Sequence, residues 1–439
     1  MNVQIQRCYH LSPDQVLISK KWRSSRFPRE LTLNLGAWRK RMQVVFSDRL
    51  ASDTIGISTA LFPSLTIPAN LYYESRWMGT QLIVGPVIAL IVGKQELNQD
   101  AFDEFETYLQ DYASINGLVY ICAESGINTQ AKTIEGYYYD PQASEEEECW
   151  KQGVFPYPGS VFRRVLLQDR IHYDLVTTLQ GRLFNGYLFN KYEMWDALSK
   201  VPSLRNHLPE TALFIGVEDV NRMLARYPSV YLKPMFGGYG IGILKIDQTA
   251  DGYRLYDGDK VDKSFQAVAE IADDLNPLIM QHYIIQQAVP LLYEDRHVDF
   301  RIILQKDGSQ SWKSSAVLAK FGRVDQIFTN DASAVMTGME ALMEIFELTE
   351  QEAEAKEQQI IDLCIQASHV MEQRYARFGM YGDFGFDVII DQSKRIWLLE
   401  INKFHQYEIG LYVDDNPDEL YEKFVTTPLA YAKALAGFG

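Results

Sequence analysis

YGDFGFDVIIDQSKRIWLLEIN, residues Tyr381 to Asn402, reads as two strands joined by a turn. Asp387 falls on the first strand, Glu400 and Asn402 on the second. Residues two apart in a strand share a face, so Glu400 and Asn402 aim at one spot, and an antiparallel partner brings Asp387 beside them. Three hard oxygen ligands on rigid strands suit Mg²⁺, which keeps some waters and completes its shell with nucleotide phosphates. The competing reading is a hairpin with polar residues on its wet face. Segments upstream decide between the two.

The first is YLKPMFGGYGIGILKI, Tyr231 to Ile246. Gly237, Gly238, Gly240 and Gly242, with Tyr239 among them, lie between two strand-like runs. Such a loop lets backbone N–H groups approach phosphate oxygens unobstructed, and Lys233 adds a point charge just before it. A dinucleotide-binding turn needs a helix after the glycines, and a strand follows here. A Walker A loop needs a terminal G-K-[ST], which is missing. Asp383-Phe384-Gly385 and the glycine loop suggest a protein kinase, but no H-R-D-type loop precedes the triplet. The plainer reading of the stretch is a flexible β-turn.

In LIMQHYI, the apolar run Leu278–Met280 suits an adenine slot, and Gln281 is placed to bond the base edge. In HVDFRIIL, Asp299 and Arg301 alternate on one strand; Arg301 offers a planar fork for phosphate or carboxylate oxygens. An exposed ion pair on an amphipathic strand is the plainer reading. In VLAKFGRVDQIFTND, Lys320 and Arg323 flank a turn and Asn330 follows; they are candidates for a substrate carboxylate or the departing phosphate, or else solvated loop charges. In FNKYEMWDALSK, Lys191 begins a helix.

The chain has 439 residues, enough for about two to four domains, and its hydrophobic share of 47% supports a large core. A formal charge of -16 argues against general nucleic-acid binding. Residues 1–80 hold 11 Lys and Arg against 5 Asp and Glu, and the remainder 31 against 53, so a basic N-terminal module could face an acidic partner. Cys8, Cys122, Cys149 and Cys364 show no metal or disulfide spacing. With no secretory signal at the start, a reduced, cytoplasmic setting is expected. Leu82–Gly93 (LIVGPVIALIVG) is too short to cross a bilayer and reads as one buried strand.

Residues 1–78 alternate in short stretches and predict a small β-rich module. Residues 79–166 alternate strand and helix, as in an open α/β sheet. The run Glu145–Glu148 reads as a solvated loop. Residues 208–285 give a helix at Val217–Tyr227, the glycine hairpin and a helix at 263–274. Thr349 and Glu352 have capping-box spacing at the start of a helix reaching about Phe378. A last helix is expected after Asn416-Pro417.

Taken in order, Lys191 at a helix start, P-E-T, K-P with the glycine loop, the Gln281 hinge, D-x-R, Asp387 and E-x-N resemble the ATP-grasp superfamily over about residues 165–439. GPVIALIVG, GVFPYPGSVFRR, FNKYEMWDALSK and LLEINKFH look like its YheC/YheD type, associated with endospore-forming bacteria. The resemblance implies two α+β subdomains gripping ATP, at about 208–285 (the lid) and 286–439 (metal-bearing), within an ATP-grasp domain of 167–439. The α/β unit at 79–166 becomes a pre-ATP-grasp domain. It implies ATP and two Mg²⁺ ions as cofactors. Phosphate and nucleotide contacts fall to Lys191, Lys233, Gly237–Gly242, Met280 and Gln281. The metal ligands are Asp387, Glu400 and Asn402, and Arg301, Lys233, Lys320 and Arg323 serve the chemistry. The implied reaction joins a carboxylate to an amine through an acyl phosphate, with a peptide or an amino-acid-containing metabolite among the substrates the resemblance allows. The other readings are an ATP-binding or non-catalytic spore structural protein, and a phosphotransferase. A homodimer is also implied. The sequence departs from many relatives where Lys403-Phe404-His405 follows Asn402 in place of a Pro-Gly turn.

Overall fold

The computed structural model describes residues 1–439 apart from 24–26, 62–64, 145–147, 239, 259, 325–328, 330, 331, 414 and 415. Seven N-terminal strands close into a barrel in the order Asn2–Cys8, Thr54–Ser58, Gln15–Ser19, Trp38–Ser47, Glu30–Leu35, Gln81–Gly85, Tyr73–Met78. Apolar–polar alternation turns Val3, Ile5, Leu31, Leu33, Ile55 and Ile57 inward. Closure removes open sheet edges. The barrel takes in Gln81–Gly85, beyond the boundary expected at residue 78.

The apolar run Leu82–Gly93 is not one strand. It ends in the barrel at Gly85 and resumes as Val87–Gly93 in the next sheet. Pro86, between them, has no N–H for a ladder. Val87–Gly93 lies at the centre of an open sheet, parallel to both Leu118–Ala123 and Ser160–Arg163. Thr133–Tyr139 and Trp150–Pro156 add an antiparallel flank.

A third sheet runs Thr211–Leu213, Tyr283–Gln287, Ser229–Pro234, Leu244–Thr249, Gly252–Asp257, Lys260–Phe265. The helices Val217–Leu224 and Ala272–Met280 bury Val220, Met223 and Leu275 against its Leu232, Ile246 and Ile285. The helix expected at 263–274 begins only at Ala272. Lys260–Phe265 is instead an edge strand paired with Gly252–Asp257, a case of sheet pairing overriding local propensity.

The fourth sheet has the order Ala334–Thr337, Trp312–Phe321, Arg296–Lys306, Asp383–Ile390, Ile396–Asn402. Lys191–Ser199, Gly338–Phe346 and Glu350–Tyr375 cover one face, where Phe300, Ile302, Leu304, Phe384 and Phe386 are fully buried. Each such side chain contributes roughly 1.5–3 kcal/mol. The long helix starts where expected: Thr349 Oγ1 accepts from the Glu352 N–H, and the Glu352 carboxylate accepts from the Thr349 N–H. Pro417–Leu435 packs Phe424, Val425 and Leu429 between this sheet and the Ile88 and Leu90 face of the second sheet.

Candidate active site

The hairpin forms as its pattern requires. Asp387 and Glu400 are register partners across Asp383–Ile390 and Ile396–Asn402, with a bulge after Asp387. On its other side Asp387 opposes Arg301, and Asp299 opposes Lys320 one strand further. One sheet face therefore gathers charges from four strands. Arg301 Nε donates to Asp387 Oδ1 at 2.8 Å, and Asn402 Nδ2 donates to Asp387 Oδ2 at 2.9 Å. Lys320 Nζ lies 2.9 Å from Asp299 Oδ1 and 3.6 Å from Asp387 Oδ1. Thr329 donates to the other Asp299 oxygen. Burial would raise the Asp387 carboxyl, but Arg301, Lys320 and the Asn402 amide reverse that and hold it below the usual carboxylate range. Arg301, penalised by burial, is held charged by Asp387.

Lys191 opens its helix behind a capping box in which Asn190 and Glu193 satisfy each other's backbone N–H groups. Its Nζ lies 3.0 Å from Glu400 Oε1 and donates to the Gly237 carbonyl at 2.9 Å. Lys233 Nζ donates to Gln286 Oε1 at 2.8 Å, and Gln286 Nε2 donates to Thr211, the threonine of P-E-T, at 3.0 Å. Burial, only partly offset by Glu400, pushes the Lys233 ammonium down to about 8, with Lys191 adding like-charge repulsion. Gly237, Gly240 and Gly242 hold φ of +115°, +74° and +74°, and a Cβ on Gly237 or Gly238 would meet nothing within 4 Å. That is a loop free to take a phosphate against its backbone. Tyr239 and Asn330 lie outside the described residues.

Three expected positions are not drawn in. Met280 is 83% exposed at the last turn of a helix, because Leu278–Met280 continues Ala272–Met280 and forms no slot. Gln281 is the exposed C-cap of that helix. Arg323 is exposed beyond the end of Trp312–Phe321. The buried glutamine that reaches Lys233 is Gln286, which the pairing of Tyr283–Gln287 with Ser229–Pro234 brings beside it. Lys403 was also missed. Its Nζ donates to Phe189 O at 2.7 Å and sits 4.1 Å over the Phe189 ring. Burial moves it down to about 8, against the pull of Glu400.

Asp383, the aspartate of the kinase-like triplet, is fully buried away from these groups. It accepts from Tyr407 at 2.6 Å and Gln305 at 3.1 Å, lies 2.9 Å from His405 Nε2, and has Arg164 at 3.6 Å. This network ties the second sheet to the hairpin.

Among the described residues no group of three or more His, Cys, Asp or Glu side chains is placed around one point. The donor set is two carboxylates and the Asn402 amide. That set fits Mg²⁺ that takes its remaining ligands from phosphates and water. Asp387 and Glu400 are register partners on adjacent strands.

The sequence model of the YheC/D-like ATP-grasp family matches residues 180–435, more than half of the chain, so the protein belongs to that family and has its mixed α/β ATP-grasp fold. The endospore coat-associated protein YheD of Bacillus subtilis (strain 168) is 24% identical over 377 residues, 81% of this chain and 80% of its own. The endospore coat-associated protein YheC of the same organism is 22% identical over 219 residues, 48% of this chain and 59% of its own. Among solved structures, the ATP-grasp ligase PsnB complexed with a phosphomimetic variant of a minimal precursor, Mg and ADP aligns at TM-score 0.43 and 12% identity, over 78% of this chain and 99% of its own. The D-alanine–D-alanine ligase of Coxiella burnetii aligns at TM-score 0.41 and 12% identity, over 78% and 95%. Among the described residues no helix is long and apolar enough to cross a membrane.

Proposed function

We propose that the chain is a Mg·ATP-dependent carboxylate–amine ligase that works through an acyl phosphate. What supports this reading is the gathering of Lys191, Lys233, Arg301 and Lys320 around Asp387, Glu400 and Asn402 beside the glycine loop, in a member of the YheC/D-like ATP-grasp family. In the proposed reaction a carboxylate oxygen takes the γ-phosphoryl group and ADP leaves. The amine nitrogen then attacks the acyl carbon, and phosphate departs as the amide forms. A bare carboxylate would have to expel oxide, and phosphorylation removes that obstacle.

Asp387, Glu400 and the Asn402 amide would hold Mg²⁺, which when bound neutralises β- and γ-phosphate charge. Lys191 and Lys233 contact the phosphates under the N–H groups of Gly237 and Gly238. Gln286, which accepts from Lys233 and donates to Thr211, holds the Lys233 ammonium in place for the phosphates. Arg301 and Lys320 stabilise charge on the group in transfer. Closure of the glycine loop keeps water from the acyl phosphate. The relatives' description leads us to propose an association with the endospore coat.

The test is ADP release by the purified protein with Mg·ATP and pools of carboxylates and amines. Release is expected only with both pools present, and to disappear in Lys233→Ala and Glu400→Gln proteins that still fold. Unchanged release in both variants overturns the site. No release and no nucleotide binding would make the chain a structural protein.

A further inference from the structure

The barrel lies outside the residues that the family model matches, and it carries a groove of ≈ 1330 Å³ over Glu30–Leu35 and Trp38–Ser47. Phe27–Arg29 runs into it, held where Val44 N–H donates to Arg29 O at 2.9 Å. Phe27 and Phe46 line it, with centroids 5.3 Å apart and edge-on. Trp77 packs edge-on against Phe27 at 5.2 Å and stays 41% exposed. Arg23, Arg29, Glu30 and Arg41 are the charged residues of the lining. Arg41 is paired with Glu30, whereas among the described residues neither Arg23 nor Arg29 has an acidic partner, and both are exposed.

We infer that this groove binds an extended acidic peptide segment bearing aromatic or large apolar side chains. The inference does not depend on the ligase reading. Three observations choose the occupant. The volume exceeds the roughly 300–1,000 Å³ of small-molecule pockets, which favours a stretch of polymer. An exposed tryptophan and two exposed arginines without acidic partners, Arg23 lying 5.6 Å over the Phe46 ring, sit beside the half-buried Phe27 and Phe46, the composition of binding hot spots, and the guanidinium fork matches a carboxylate. The rings meet edge-on and leave no open stack for bases. Glu30 in the lining also disfavours a dense polyphosphate, in a chain whose net charge is -16. Carboxylates spaced along a peptide can meet Arg23 and Arg29 while the side chains between them reach Phe27, Phe46 and Trp77.

The experiment is fluorescence anisotropy on the full chain at physiological ionic strength. The probe is a fluorescein-labelled random copolymer of Glu and Tyr; polyglutamate of equal length and oligothymidine of equal charge are the comparators. The copolymer is expected to bind at least ~tenfold more tightly than either comparator. Arg23→Glu with Arg29→Glu, and separately Trp77→Ala, should each weaken it ~tenfold or more, with the unfolding midpoint and the nucleotide response unchanged. The two variants act on the charged and apolar halves of the groove, so each checks the other. No binding overturns the inference. So does equal binding of all three polymers, which marks a merely basic surface, tighter oligothymidine binding, which marks a nucleic-acid site, or full affinity in both variants.

Discussion

Lys191 Nζ stands 3.0 Å from Glu400 and donates to the Gly237 carbonyl, so a single lysine joins the Asp383–Asn402 hairpin to the glycine loop. Any metal at Glu400 must share that carboxylate with Lys191, and a nucleotide phosphate offers the lysine a new partner. Mg²⁺ and nucleotide should therefore stabilise the protein together far more than separately. Ligand at about 100 times Kd should add roughly 2.7 kcal/mol, a rise of several degrees in Tm. Thermal unfolding with Mg²⁺, ADP and both checks this. Glu400→Gln should abolish the synergy.

Arg301→Ala should impair both activity and fold. It removes the 2.8 Å bond to Asp387, leaving Lys320 at 3.6 Å as the nearest cation. Breaking a largely buried pair costs about 3 kcal/mol, and a lost charge-stabilising donor costs about 100-fold in rate. Denaturant unfolding and ADP release measure the two losses. Arg301→Lys should regain stability but not rate, because it lacks the planar fork.

Lys233 gives a pH signature. Its ammonium is depressed to about 8 by burial, below the ordinary lysine value of about 10.4. The depressed pKa penalises the folded state below about pH 8, and the penalty fades as pH rises through that value, so this lysine makes folding more favourable in mild alkali. Phosphate binding needs the charged form. Nucleotide affinity should therefore fall between about pH 8 and 9.5, with proton uptake on binding. Calorimetry in buffers of different ionisation enthalpy should detect the uptake in wild type and lose it in Lys233→Met.

Asp383 should matter to stability. Burial opposes its charge, but His405, Arg164 and Tyr407 hold its carboxyl below the normal range. Stability from a depressed carboxyl is present above its unfolded pKa of about 3.9 and is lost as pH falls through the lower folded value. Asp383→Ala should cost about 3 kcal/mol at neutral pH and flatten the acid limb of the unfolding profile. An unchanged acid limb would show that the network contributes nothing.

The features legible in the sequence are those carried by short periods and caps. Strand alternation placed Glu400 and Asn402 on the face of Asp387, and Thr349 with Glu352 marked a helix start. Lys191 and Lys233 each border a recognisable local element, a capped helix and a glycine hairpin, which is why their positions are legible in the sequence. What failed depended on distant pairing. Leu278–Met280 is as apolar as a slot would be, yet it closes a helix whose Gln281 faces solvent. Gln286 became visible only once Ser229–Pro234 and Tyr283–Gln287 were paired. The edge strand Lys260–Phe265 was hidden because its ladder partner, not its composition, makes it extended. The groove on the barrel joins residues from four separate stretches, and no spacing in the sequence announces it.

Hydroxylamine trapping would test the acyl phosphate most directly. The protein would be incubated with Mg·ATP, a pool of amino acids and short peptides, and hydroxylamine, with hydroxamate, ADP and phosphate quantified together. Hydroxamate equal to ADP in wild type, and absent from Glu400→Gln, is the expected result. ADP formed with a stable phosphorylated product and no hydroxamate or free phosphate would contradict it and show a phosphotransferase.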